Sequence, residues 1–376
     1  MNLTLEETHV KKILNVHKHV DGPWFWEKYT AHPYIGCRSG CEFCYCRGKY
    51  SGGREPALFD THIQVKINAV ERLRGELFGR GKEIITVGDW QQPAEDRHRL
   101  SRGMLEVIRD LEFPLFIVER SPLLLRDLDL LTEINRASWV GVVISISSLD
   151  RELKDAFEPH SPGVKQRLEM MEKLAEAGIQ VGTGLMPVLP LAGDREKQLE
   201  DVIRATKEHG GRFVIGGGLT MDGIQARRTL EVYRRLDPKL VAGIRKMYRW
   251  KEGAEPQYSP PKNYIAHLGL IIRELCRKHG LPDRMPRYIA PGPLKINKRI
   301  AERLFLETYE LELQQANSYV IWAYRKAAWT VDEIKENIAH IFQEQGEAGL
   351  QKLPHLGKSI SRRISRWLAE EKSGAD

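Results

Sequence analysis

Between residues 83 and 218 the chain alternates short apolar runs with amphipathic stretches, and few architectures satisfy that pattern. The runs EIITVGD (83–89), PLFIVER (114–120), WVGVVISIS (139–147), IQVGTGLMPVLP (179–190) and RFVIGGG (212–218) are strand-length and rich in β-branched residues. Between them LSRGMLEVIRDL, LLLRDLDLLTEIN, GVKQRLEMMEKLAEAG and REKQLEDVIRATKEHGG carry apolar residues at helical spacing, with Gly178 placed as a helix C-cap. Ahead of the first run, THIQVKINAVERLRGELF (61–78) reads as a helix through Ile63, Ile67, Val70, Leu73 and Leu77. Such alternation predicts a parallel sheet with helices outside. No glycine-rich dinucleotide turn follows the first clear strand, so a barrel is preferred to an open doubly wound sheet. The expected fold class is α/β, a partial (β/α)6 TIM-type barrel followed by a small all-α C-terminal region. Chemistry in such a sheet gathers at the carboxyl ends of the strands.

After Pro238 the pattern changes, and EGAEPQYSPPKNY (252–264) is a proline-rich break. Helical stretches follow at 265–279 and 296–328. The expected organisation is an N-terminal extension (1–29), the partial barrel (30–250), a helical extension (262–330) and a small C-terminal unit (331–376).

Four of the five cysteines fall within HPYIGCRSGCEFCYCRGKY, residues 32–50. The first three, Cys37, Cys41 and Cys44, are spaced C-x3-C-x2-C, with Phe43 just before the third. Three thiolates on one loop can take three corners of a cubane [4Fe-4S] cluster. Its fourth iron then stays open to a small molecule bearing an amine and a carboxylate. A four-thiolate zinc site using Cys46 as well is the alternative, although structural zinc sites usually join two separated pairs. The N-terminus MNLTLEETHVKKIL has no apolar signal region, and no apolar run reaches membrane-spanning length. The expected location is the cytoplasm, with no membrane partner, where thiols stay reduced. A formal net charge of +7 permits a polyanionic partner without demanding one.

The C-x3-C-x-aromatic-C loop resembles that of the radical S-adenosylmethionine enzymes. HPYIGCRSGCEFCYCR is similar to the Asn-Pro-Tyr-x-Gly-Cys loop of the spore photoproduct lyase-like, or DNA repair photolyase-like, branch, with His32 in place of the usual asparagine. GDWQQPAEDRHRLSRGMLEVI, ERSPLLLRDLDLL and AFEPHSPGVKQRLEMMEKLAEAGIQVGTGLMPVLP resemble later units of that branch, so the likeness spans about residues 30–220. It implies reductive cleavage of S-adenosylmethionine to methionine and a 5′-deoxyadenosyl radical, with an electron donor such as flavodoxin or ferredoxin. By position, Cys37, Cys41 and Cys44 hold the cluster. Asp89 lies near the cofactor's amino group, Arg120 suits its carboxylate and Ser145 lies near that same group; a helix cap, an ion pair and a satisfied strand hydroxyl are the respective alternatives. Gly216 and Gly217 would let backbone approach adenine or ribose, with a plain turn as the alternative. Spore photoproduct lyase carries a hydrogen-donating cysteine at the end of the second strand, where this chain has Thr86 and Val87. That departure points away from spore photoproduct repair itself. It leaves Tyr45 and Cys46 as candidates for handling the radical, and Cys276 as a core thiol.

LQKLPHLGKSISRRISRWL (350–368) resembles a helix-hairpin-helix. Its turn presents backbone N–H groups at a helix start to a phosphate. Gly357, Lys358, Arg362 and Arg363 belong to this expected nucleic-acid surface. His355 stands where the usual first glycine of the turn would be, and an imidazole there hinders close approach or meets a phosphate itself. The sequence thus implies a radical enzyme acting on DNA, in lesion repair or nucleobase modification. Radical modification of RNA and a non-catalytic iron–sulfur DNA-binding redox sensor are the alternatives. NSYVIWAYRKAAW (317–329) interleaves aromatic and basic residues, and core packing and base stacking account for it equally.

Overall fold

The computed structural model describes residues 3–22, 24–47 and 56–373. The end of the cysteine-rich stretch (48–50) and the outer ends of the first and last expected domains lie outside them. By contact the chain divides into two compact units, Met1–His17 with Glu27–Met285 and Lys18–Trp26 with Pro286–Asp376.

The first unit holds the strands β1 (Thr4–Thr8), β2 (Leu14–Val16), β3 (Tyr29–Ala31), β4 (Tyr34–Ile35), β5 (His62–Lys66), β6 (Ile85–Gly88), β7 (Leu115–Glu119), β8 (Val140–Ser145), β9 (Gln180–Val188) and β10 (Val214–Gly218). Seven of them form one sheet in the order β10-β9-β8-β7-β6-β3-β2. From β3 to β10 every neighbouring pair is parallel, and β2 joins the edge antiparallel to β3. Six parallel strands in chain order are the expected partial barrel. Strand β8 is buried at all six positions, as an apolar strand with a covered sheet on both faces should be. The helices Leu100–Asp110, Leu128–Ala137, Val164–Glu176 and Glu196–Glu208 fill the crossovers and bury Met104, Leu131, Met171 and Ile203 in the same core as β6 to β10.

Residues 61–78 differ from the single helix predicted for them. His62–Lys66 is a strand, paired in parallel with β1 and antiparallel with β4, and the helix covers Ala69–Leu77 alone. Ile63 and Ile67 fall at helical spacing, but with Val65 between them they also alternate, and Ile63 and Val65 are fully buried. β1, more than fifty residues upstream in the sequence, supplies the pairing that decides between the two periods. The first 29 residues therefore contribute strands to both sheets. The proline-rich break also falls inside this unit, because the helix Lys262–Lys278 lies on β10 with Ile272 against Gly216.

The second unit contains the helices Lys295–Leu313, Ser318–Glu333, Ile338–Gln351 and Lys358–Ser373 together with the N-terminal segment 18–26. Trp26 is buried, meets Phe305 edge-on at 5.7 Å and lies 5.0 Å below the Arg287 guanidinium. Arg287 and Lys298 close on the buried Asp332 carboxylate at 2.5 and 3.2 Å. Burial disfavours that charge, but the two cations outweigh it and hold the carboxyl below its ordinary range. The unit thus reaches upstream of residue 331, to Pro286.

Candidate functional site

The three cysteines sit on the loop between β4 and β5. Gly36 turns the chain into it at φ +98°, where an added Cβ would lie 2.7 Å from the His62 carbonyl and 2.9 Å from that of Phe59. Gly40 makes the next turn at φ +61°. Both positions favour glycine on backbone conformation, and Gly36 on space as well. Long-range bonds then fix the loop. The Cys37 N–H donates to Phe59 O (3.0 Å) and the Glu42 N–H to Phe157 O (2.9 Å). Arg228 grips the Glu42 carboxylate at 2.7 and 3.0 Å, and Gln225 Nε2 donates to the Phe43 carbonyl at 3.1 Å. Phe43 itself is buried against Phe157, ring centroids 6.3 Å apart. That contact explains an aromatic before the third cysteine by packing.

The strand ends supply the rest. Asp89 follows β6, Arg120 follows β7 and Ser145 closes β8, three adjacent parallel strands, so all three stand along one edge of the sheet. Asp89 is held at φ +52°, an uncommon conformation for a residue with a side chain. Gln92 ties this edge to the loop: its Nε2 donates to Cys37 Sγ (3.3 Å) and to Asp89 O (3.0 Å), while its Oε1 accepts the Arg38 N–H (2.9 Å). Arg120 Nη1 lies 2.8 Å from Cys41 Sγ, and the Ser161 hydroxyl 3.6 Å from the same sulfur. His32 Nδ1 meets the Gly88 carbonyl at 3.3 Å, and burial pushes its imidazole below the ordinary range.

In the metal-free chain burial pushes the Cys41 thiol up to about 12 despite Arg120, and the Cys37 thiol well up, with Asp89 and Cys41 adding to it. Cys44 is also raised, first by its hydrogen bond with Cys46 and then by burial. Cys41 and Cys44 both add to the rise at Cys37, and Cys44 adds to that at Cys41. Among the described residues no group of three or more His, Cys, Asp or Glu is gathered for a single ion. A cluster takes its thiolates one per iron, which a looser set of three fits. Gln92 and Arg120, donating to sulfur, suit an anionic cluster and favour thiolates once metal displaces the protons.

The other expected residues fall into place unevenly. Cys46 neighbours Cys44, and Tyr45 beside it is half exposed at 54%. Gly216 and Gly217 have a packing account: added Cβ atoms would lie 2.3 Å from Ile272 Cδ1 and 3.0 Å from Met186 Cγ. Gln92, Glu119, Ser161, Glu158 and Arg167 were not foreseen. Gln92 and Glu119 lie at or just beyond strand ends, whereas Glu158 caps the helix Arg151–Phe157, Ser161 follows it and Arg167 lies in the next helix. The polar pair in DWQQP and the glutamate in FEPHSP are the visible signals.

In the second unit the hairpin runs from Ile338–Gln351 to Lys358–Ser373. His355 adopts φ +64°, the left-handed conformation that explains why glycine is usual there. Gly357 is exposed, and an added Cβ would meet nothing within 4 Å. Lys358 and Arg362 are exposed beside it. Arg363 instead turns inward, paired with Glu307, 3.1 Å from Tyr324 Oη and stacked on the Tyr324 ring at 5.6 Å. Tyr319 and Trp322 are exposed at 84% and 48%, so core packing does not account for them.

Residues 32–205 match the radical SAM superfamily and residues 296–373 a helix-hairpin-helix domain. An uncharacterized protein of Mycobacterium tuberculosis is 29% identical over 238 residues, 61% of this chain and 70% of the relative. An uncharacterized protein of Methanocaldococcus jannaschii is 30% identical over 166 residues, 43% of this chain and 61% of the relative. Among solved structures, spore photoproduct lyase complexed with dinucleoside spore photoproduct shares the fold at a TM-score of 0.54, with 17% identity, 74% of this chain and 81% of that one covered. The helix-hairpin-helix match begins some 35 residues before the unit expected from sequence, and takes in all four helices of the second unit.

Proposed function

We propose that this chain, a radical S-adenosylmethionine enzyme with a helix-hairpin-helix domain appended, acts on a nucleobase of DNA, in lesion repair or base modification. The observation that carries the reading is the buried loop of Cys37, Cys41 and Cys44 facing Asp89 and Arg120 at the carboxyl ends of β6 and β7. When bound, a [4Fe-4S] cluster with one open iron supplies the site where S-adenosylmethionine is reductively cleaved to methionine and a 5′-deoxyadenosyl radical. The three thiolates hold that group, and Gln92 and Arg120 donate hydrogen bonds to two of them. Arg120 Nε is buried without an acceptor in the described protein, which suits a guanidinium that receives the cofactor's carboxylate. Asp89 stands along the same edge for the amino group, and the Ser145 hydroxyl on the strand beyond Arg120. At the hairpin, the start of the Lys358 helix with Lys358 and Arg362 is suited to phosphate oxygens, giving contacts to backbone and no reading of bases. The dinucleoside lesion bound by spore photoproduct lyase supports DNA as the substrate class. The missing thiol at Thr86 and Val87 points to a different lesion or base, with flavodoxin or ferredoxin as electron donor.

The test is anaerobic reconstitution of the full chain with iron and sulfide, followed by S-adenosylmethionine and dithionite. Wild type should bind about four irons per chain and release 5′-deoxyadenosine. Cys37→Ala, Cys41→Ala and Cys44→Ala should each lose it to background, whereas Cys46→Ala keeps its iron. A colourless protein with stoichiometric zinc overturns the reading. Retention of RNA and not of duplex DNA overturns its substrate class.

A further inference from the structure

A buried line of charge joins β8 to the cysteine loop. Arg167, fully buried, donates Nη1 to the Ser145 carbonyl (2.8 Å) and Nε to the Pro162 carbonyl (3.0 Å). Its Nη2 meets Glu158 Oε2 at 2.5 Å. The same Glu158 oxygen lies 3.6 Å from Arg120 Nη1, the nitrogen that reaches Cys41 Sγ at 2.8 Å. Glu158 is 3% exposed, so neither partner's charge is screened by water. Two guanidiniums share this carboxylate, and Asp89 at the end of β6 and Cys37 on the loop also act on Arg120.

The line has a direction. Arg167 is anchored to backbone at two points, so the position of Glu158 follows from the end of β8. Arg120 has no such backbone anchor among the hydrogen bonds of its guanidinium. Its place is set by Glu158 on one side and Cys41 on the other, and its Nε is left buried and unmatched. A long side chain left to itself samples many rotamers, and holding it in one before a ligand arrives strengthens the ligand's hold.

We propose that Glu158, held by Arg167, is a positioning residue that aims Arg120 at the carboxylate of S-adenosylmethionine. The inference rests on the reading of Arg120 given above. Glu158 does not touch the cofactor, and its effect is on affinity.

The experiment measures the equilibrium dissociation constant for S-adenosylmethionine on the cluster-loaded full chain, with iron content and thermal midpoint recorded for each variant. Glu158→Gln keeps the shape and removes the charge. Its dissociation constant should rise roughly tenfold, the scale of an outer-shell partner, at wild-type iron content, with KM for the cofactor rising and kcat at saturation nearly kept. Arg120→Ala should weaken binding at least as much. If Arg120→Ala weakens binding while Glu158→Gln stays within about twofold of wild type, the positioning role is overturned. If Arg120→Ala itself binds as wild type, the reading of Arg120 fails with it. Should Glu158→Gln fail to take up iron, Glu158→Asp carries the test, since one methylene withdraws the carboxylate and keeps its charge. Its unchanged affinity overturns the proposal, and its weakened affinity supports it.

Discussion

Glu119 ends β7 with its carboxylate buried, and three backbone N–H groups point at it. Arg120 and Ser121 donate to Oε1 at 2.9 and 3.1 Å, and Gln91 to Oε2 at 3.2 Å. These donors favour the charge, but burial, with Asp89 nearby, outweighs them and pushes the carboxyl up to about 7. A carboxyl raised above its ordinary value near 4.5 binds more protons folded than unfolded. Its contribution to stability is therefore full below about pH 4.5 and is lost as pH rises through about 7. Through this group, chemical denaturation of the metal-free chain should show stability falling between about pH 4.5 and 7, by a few kcal/mol at about 1.4 per pH unit. Glu119→Gln should flatten that slope, and an identical slope in the variant places the titrating group elsewhere. The cysteine loop was legible at this scale because its spacing is local and chemically specific. Glu119, Gln92 and Glu158 were not, because a lone polar residue just after a strand or a helix has the same sequence signature whether it faces solvent or a buried partner.

The elements tell a similar story at longer range. Strands β6 to β10 were legible because each is an apolar run between amphipathic helices. β5 was not, because Ile63 and Ile67 fit helical spacing and, with Val65 between them, also alternate, and only pairing with β1 and β4 breaks the tie. The loop between β4 and β5 depends on that strand: the carbonyls of Phe59 and His62 leave no room for a side chain at Gly36. Gly36→Ala combines a left-handed φ with a 2.7 Å approach to backbone, and neither can be relieved by rotating a side chain. The variant should fold less stably by about 2 kcal/mol or more and take up less iron than wild type at matched reconstitution. Wild-type iron content would mean that the loop re-forms without this turn. In the hairpin, the departure visible as His355 became intelligible only with its φ of +64°. The imidazole occupies a glycine conformation, so the turn keeps its shape at a cost in backbone strain.

Across the whole molecule, two chemistries reside in two units, a thiol loop at strand ends in one and a helix start with exposed cations in the other. Their division was partly legible. The proline-rich break at 252–264 marked a change of pattern, yet the helix after it packs on β10 and the boundary lies at 285. Composition could not reveal this, because an amphipathic helix looks alike whichever core receives its apolar face. The same limit applied to cationic residues of the hairpin: Arg362 and Arg363 are neighbours in sequence, but only Arg362 stays exposed while Arg363 is spent on Glu307 and Tyr324. This distinction makes a prediction. Each phosphate contact releases counterions and adds about 0.9 to the slope of log affinity against log salt. Lys358→Ala with Arg362→Ala should weaken duplex binding at low salt and lower that slope by about two. Arg363→Ala should leave the slope unchanged and lower the thermal midpoint, since it removes a half-buried ion pair and a ring stack. Release of 5′-deoxyadenosine without DNA should be the same in all three proteins. A slope that falls with Arg363 and not with Lys358 and Arg362 would place the phosphates on the opposite side of this helix.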